Sequence, residues 1–183
     1  RIFILKNLGL NFSKTKHKID EKFYKKRFVA LKYSPKKISL QLAKNKAKNI
    51  KKNNTIVVGS DTVINLNGKI IEKAKNILEA KRNIKKLSGK KHTIISSAAA
   101  YYNNKLIWCC SQEAKVMIRK LKEQEIKKYL RLCGPDILDS VGCYKIEKNG
   151  AIIIEKIDGD FFSVMGFPLF SFLVFLKKFN IKK

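Results

Sequence analysis

Three carboxylates and two lysines in this chain are of types and at positions that could handle a phosphate anhydride. Asp61 closes the stretch Gly59-Ser60-Asp61, directly after the β-branched run from Thr55 to Val58. Acids placed just beyond the carboxyl end of a strand face a crevice in α/β folds, because a rigid sheet holds the polar loop above it. Glu21 stands beside Asp20 among lysines and aromatics, and Asp160 ends Asp158-Gly159-Asp160. Lys46 and Lys73 are the candidate inward-facing cations. Carboxylates that hold Mg²⁺ beside lysines that meet phosphate oxygens are what hydrolysis of a nucleotide anhydride requires: the metal neutralises charge and a carboxylate prepares the water. Asp61, Glu21 and Lys46 also have plainer readings. Asp61 can be a turn aspartate bonded to its own backbone, Asp20 and Glu21 can be surface acids that damp repulsion between lysines, and Lys46 can lay its stem along apolar neighbours.

The elements that must position these groups read as an alternation of helices and strands. A short helix over Ile2 to Leu8 ends at Gly9, and Leu10 to Ile19 reads as extended. Ser34 followed by Pro35 starts a helix, with a capping hydroxyl before a proline at the first helical position, and the pattern runs to about Lys52. At about 100° per residue, Ile38, Leu42, Ala43, Ala47 and Ile50 share half of this helix, and Lys46 falls in the middle of that half while Lys44 and Lys48 point away. Thr55 to Val58 is a buried strand that stops at a Gly59 to Thr62 turn. Asn67-Gly68 is the strongest two-residue hairpin signal and joins Val63–Leu66 to Lys69–Ile71, which delivers Glu72-Lys73 beside the loop of Asp61.

Asn76 caps a helix ending at Ser88-Gly89, and two long β-prone runs, Thr93–Tyr102 and Lys105–Ile118, are joined by Asn103-Asn104. His92 has no serine or cysteine partner and reads as a structural hydrogen-bonder. A helix from Leu121 to Leu132 stops at Gly134-Pro135, a second hairpin is expected around Asn149-Gly150 before the strand Ala151–Ile154, and a final apolar helix spans about Leu169 to Phe179.

Length and composition bound the answer. At 183 residues the chain is long enough for a core without disulfides or metal, as one domain or two packed lobes. The net charge of +27 suits an anionic ligand, but the cations are nearly all lysine rather than the planar arginine fork favoured by nucleic-acid readers, so nucleic acid is not the expected partner. Cys109, Cys110, Cys133 and Cys143 form no C-x-x-C pair and read as reduced packing residues. The longest apolar run, Phe167 to Leu176, is too short to cross a bilayer, which points to a cytoplasmic protein. No G-x-x-x-x-G-K-[ST] loop is present, which argues against a P-loop NTPase. The sequence opens on Arg1 and goes straight into a helical pattern, so a leading segment is expected to be missing.

Taken in order, Leu42-Ala43-x-x-Lys46-Ala47, Gly59-Ser60-Asp61-Thr62-Val63, Glu72-Lys73-Ala74, Leu87-Ser88-Gly89-x-x-His92 and Asp158-Gly159-Asp160-Phe161 with Gly166-x-Pro168-Leu169 resemble the Maf (septum-formation inhibitor-like) family over essentially the whole chain. The resemblance implies a single α/β domain over residues 1–183, with a two-lobed, inosine-triphosphatase-like fold, a mixed sheet and a central cleft. It implies cleavage of a nucleoside triphosphate to monophosphate and pyrophosphate with Mg²⁺ or Mn²⁺. Asp61 then matches the catalytic aspartate and Glu21 the acid after the first helix, both as metal ligands. Lys46 and Lys73 match phosphate-contacting lysines, Arg1 matches the last residue of a phosphate motif whose serine would precede this chain, and Ala74 replaces a proline. Glu147 matches a base-reading position and Asp160 a substrate-binding one. A homodimer is compatible with the resemblance. A second reading is a binding protein of the same fold, acting in cell division or on nucleic acid through its basic surface.

Overall fold

The computed structural model describes residues 2–179. In chain order the elements are α1 (Ile2–Asn7), α2 (Glu21–Ala30), α3 (Pro35–Lys48), β1 (Ile56–Leu66), β2 (Lys69–Ile71), α4 (Ile77–Leu87), β3 (Lys91–Tyr102), β4 (Lys105–Ile118), α5 (Glu123–Cys133), β5 (Ile154–Gly159), α6 (Phe161–Val164) and α7 (Leu169–Lys178). The five strands form one sheet in the order β2-β1-β3-β4-β5. Both edge pairs are antiparallel, β1 with β2 in the register Ile64 to Ile71 and β4 with β5 in the register Val116 to Ile157. Asn67 and Gly68 both adopt positive φ, as do Asn103 and Asn104, so each tight hairpin is made by residues that tolerate the left-handed region. The chain divides into two compact units.

The first unit comprises residues 1–61, 96–112 and 166–183. Ser34 accepts the Lys37 N–H at 3.3 Å and Pro35 opens α3, as the sequence requires, but the helix stops at Lys48 rather than at Lys52 because Asn49 becomes its cap. The Asn49 side chain is turned instead to the preceding segment, where its Oδ1 accepts the Lys18 N–H at 2.7 Å. Ile38, Leu42, Ala43 and Ala47 are buried along one face of α3. The apolar face of α7 packs Phe172 and Phe175 against Trp108 of β4, with Phe167 edge-on to Phe172.

One helix in this unit was not foreseen and one expected turn is absent. Residues 21–30 form a helix, α2, whose N-cap Asp20 accepts the Phe23 N–H at 3.0 Å. In addition, Gly59 to Thr62 is not a turn: β1 continues without a break from Ile56 to Leu66. The glycine there serves close approach rather than chain reversal. A Cβ on Gly59 would lie 2.3 Å from the Ala43 carbonyl oxygen and 2.5 Å from the Ala47 nitrogen, so only glycine lets the strand lie this near to α3.

The second unit comprises residues 62–95 and 113–165. Its core gathers Ile64, Ile84, Leu87, Val116, Ile118, Ile126, Tyr129 and Ile153, from one face each of α4 and α5, from the strands and from the 3₁₀ turn before β5. Asn76 caps α4 through the Glu79 N–H at 2.9 Å. The hairpin expected around Asn149-Gly150 is replaced by a 3₁₀ helix over Asn149–Ile153, and the strand begins only at Ile154. Here a Cβ on Gly150 would meet the Lys145 carbonyl oxygen at 2.4 Å, a tight local wrap that a hairpin turn does not need. Among the described residues, no helix is long and apolar enough to cross a membrane.

Candidate active site

In β1, alternation puts Gly59 and Asp61 on the same face of the strand. The close contact at Gly59 therefore brings Asp61 against α3, where Ala43, Lys46 and Ala47 share one face. The Lys46 ammonium donates to Asp61 Oδ1 at 2.7 Å and lies 3.0 Å from Glu21 Oε2. The Ser39 hydroxyl, fully buried two turns earlier on α3, donates to the Asp61 backbone carbonyl at 3.1 Å. Strand and helix are thus pinned together both by the backbone and by the side chain of Asp61.

Burial sets the character of this cluster. The side chains of Lys46 and Asp61 are 11% and 6% exposed, whereas that of Glu21 is 40% exposed. Asp61 Oδ2 is buried without a hydrogen-bond partner. A buried carboxylate oxygen without a donor is destabilising, and a catalytic role, a water or a bound ion are the ways such a group is accounted for. Burial, the largest single influence on Glu21, pushes its carboxyl up. The charge and hydrogen bond of Lys46, with His17 and Lys25, outweigh it and hold the group below the usual carboxylate value. His17, whose imidazole lies 3.4 Å from Glu21 Oε1, joins the cluster at its exposed end. Burial first and the Lys46 charge second depress the His17 pKa, so the ring is neutral at pH 7. The sequence reading passed over His17, although its spacing of four from Glu21 was the available signal.

The remaining site candidates fall elsewhere. Lys73, Asp160 and Glu147 belong to the second unit, and Arg1 lies outside the described residues. The Lys73 ammonium is 3.8 Å from Asp139 and half-exposed, and the Lys145 ammonium is also 3.8 Å from Asp139. Two lysines thus gather at one solvated acid. Glu147 itself is exposed. Asp160 caps α6, where its Oδ2 accepts the Ser163 N–H at 2.7 Å and the Ser163 hydroxyl at 2.6 Å. His92 is structural, as read: it is buried with Nε2 2.5 Å from the Tyr144 hydroxyl, and burial lowers its pKa to about 4.

A divalent cation suits the first unit's carboxylates. No group of three or more His, Cys, Asp or Glu among the described residues converges on a metal position. Mg²⁺ does not need one, since it keeps water and takes one or two carboxylates plus substrate phosphates. Asp61 and Glu21 are hard oxygen donors, and Asp61 Oδ2, which lacks a hydrogen-bond partner, has lone pairs open either to such an ion or to a proton.

The family model described as Maf-like protein matches residues 1–179. A protein of Bartonella quintana (strain Toulouse) named 7-methyl-GTP pyrophosphatase is 39% identical over 183 residues, covering 99% of this chain and 91% of its own. Its counterpart in Bartonella henselae, of the same name, is 37% identical over the same span. A nucleoside triphosphate pyrophosphatase of Caulobacter vibrioides is 33% identical over 178 residues, 97% of this chain and 89% of that protein.

Proposed function

This chain belongs to the Maf-like family, and from that premise we propose that it is a pyrophosphatase that hydrolyses a nucleoside triphosphate to the monophosphate and pyrophosphate, with the cluster of Asp61, Lys46 and Glu21 as its chemical centre. One observation carries the reading. Asp61 is buried, its Oδ1 is held by Lys46, and its Oδ2 is left without a partner. A carboxylate fixed at one oxygen and bare at the other is prepared to take a proton from water at Oδ2.

In this mechanism Lys46 has two tasks. It holds the Asp61 carboxylate in one orientation, and its ammonium offers charge to phosphate oxygens as the α–β bond breaks. Glu21 shares Lys46 from the solvent side and keeps the ammonium from pairing with Asp61 alone. Glu21 would hold a divalent cation, joined by Asp61 where Oδ2 ligates the ion instead of taking the proton; when bound, the cation neutralises triphosphate charge and acidifies a water. Lys73 and Lys145, weakly paired with Asp139, would exchange that carboxylate for a phosphate group. Glu147 would read the base: an acceptor-only carboxylate suits the N–H donors on the pairing edge of guanine and opposes the carbonyls of uracil and thymine.

The test is pyrophosphate release from a panel of guanine-type, 7-methylguanine, uridine and thymidine triphosphates, with Mg²⁺, with Mn²⁺ and with chelator. The reading expects release with at least one triphosphate and loss of it in chelator. Absence of release from every triphosphate by folded protein overturns it. Glu147→Gln should move the ranking toward pyrimidines, and an unchanged ranking removes Glu147 from base reading without touching the rest.

A further inference from the structure

In the second unit, the segment carrying Lys73 is held by a set of buried polar contacts that the reaction scheme above does not use. Asn83 lies on the inner face of α4 and is buried, a position where helical spacing calls for an apolar side chain. Its amide Nδ2 donates to the Glu72 carbonyl at 2.9 Å, on the residue immediately before Lys73. The same amide lies 3.9 Å from the sulfur of Cys143, within range for a bond to sulfur. The Ala74 N–H, on the residue immediately after Lys73, also donates to that sulfur. Lys73 is therefore clasped on both sides, through the Glu72 carbonyl and the Ala74 N–H, with Asn83 and Cys143 as the two halves of the clasp.

Cys143 is itself anchored. It is fully buried with φ +56°, and its carbonyl accepts the Tyr129 hydroxyl at 3.2 Å. A non-glycine residue in the left-handed region is strained and persists only where surrounding contacts enforce it. Burial, the dominant influence, raises the thiol's pKa against the pull of the Asn83 and Ala74 donors, so the sulfur stays a neutral acceptor at pH 7. An amide buried in a helix face is unfavourable unless bonded. Asn83 meets that need by fixing a loop rather than by filling the core.

We propose that Asn83 and Cys143 are positioning residues for Lys73: the clasp they form on Glu72 and Ala74 sets the direction from which the Lys73 ammonium reaches the substrate phosphates. The inference rests on Lys73 serving the hydrolase reading. Without the clasp, an exposed lysine on an irregular segment would sample many directions, and its interaction with the triphosphate would carry a larger ordering penalty.

A double-mutant cycle on kcat/KM tests it. Asn83→Leu keeps the shape and removes both bonds, and it is made in the Lys73 and in the Lys73→Ala background. The expected result is a fall of about tenfold with Lys73 present and less than about twofold in the Lys73→Ala protein, because a residue acting only through Lys73 has nothing left to position. Equal falls in both backgrounds overturn the inference, since a purely structural defect would lower activity whether or not the lysine is there. If Lys73→Ala alone leaves kcat/KM unchanged, the inference falls with the role of Lys73, while pyrophosphate release by the unmodified protein keeps the hydrolase reading. Should Asn83→Leu not fold, Cys143→Ala goes through the same cycle with the same expected split.

Discussion

The two charged clusters of this protein are built in opposite ways. In the first unit, Lys46 and Asp61 are buried and meet at 2.7 Å. In the second, Lys73 and Lys145 each stand 3.8 Å from an Asp139 whose side chain is 74% exposed. A buried pair is locked, because losing either partner strands a charge in low dielectric; an exposed pair contributes little and exchanges readily with solvent or ligand. The difference matches the two jobs that the proposed function gives these clusters. Groups that take part in bond breaking must be held before substrate arrives, whereas groups that receive a highly charged ligand must be free to release what they hold.

The largest effect should come from the locked side. Asp61→Asn keeps shape and removes the basic oxygen, so kcat should fall by about two orders of magnitude or more. Thermal melting checks that the variant is folded. Turnover close to that of the unmodified protein would make the buried cluster merely architectural.

Lys46→Met comes next and should lower activity and stability together. It leaves the Asp61 carboxylate buried without its partner, an arrangement that typically destabilises by about 3–5 kcal/mol. Lys48→Met, on the outer face of the same helix, should alter neither. Denaturant midpoints and initial rates on the three proteins give the comparison, and a Lys46→Met protein that loses stability while hydrolysing normally would place Lys46 in the fold alone.

Lys73→Ala should act on binding. Its KM for the triphosphate should rise by about tenfold with melting unchanged, and the rise of KM with added salt should flatten, as expected when a solvated charge is removed. If instead kcat falls and KM does not, the second cluster works in the chemical step and the contrast between the units breaks down.

The smallest effect on turnover belongs to His92, which sharpens the contrast by showing what the second unit does bury. Its pKa is about 4 when folded and about 6.5 when unfolded. Between these values the unfolded chain binds the proton and the native chain does not. The contribution of His92 is thus complete above pH 6.5 and is lost as pH falls through about 4, a span worth ~3 kcal/mol. Stability of the unmodified protein measured against His92→Gln across that window should show the two curves converge with acid. Parallel curves would mean that His92 is not buried neutral.

Much of this was legible in the chain. Ser34-Pro35 marks α3, Asn67-Gly68 marks the β1–β2 hairpin, and the 100° wheel puts Lys46 inward without knowledge of its partner. Asp61 was singled out on a premise that fails, since Gly59-Ser60-Asp61-Thr62 has the composition of a turn yet lies inside β1. Short polar residues after a glycine carry the same local signal whether the glycine reverses the chain or admits a neighbouring helix, and only the contact with Ala43 and Ala47 separates the two. Helix α2 was missed because it buries only Phe28 and shows almost no apolar period. The Asp20 cap and first-turn Glu21 were the remaining clues. The pairing of Glu21 with Lys46 spans 25 positions of chain, and no local pattern encodes it.

Both clusters have their proposed meaning only if water attacks the α-phosphorus. Hydrolysis of a triphosphate in ¹⁸O-labelled water, with the products separated and weighed, measures this directly. The account predicts one labelled oxygen on the nucleoside monophosphate and unlabelled pyrophosphate. Label in the pyrophosphate, or release of inorganic phosphate with a nucleoside diphosphate, would contradict it.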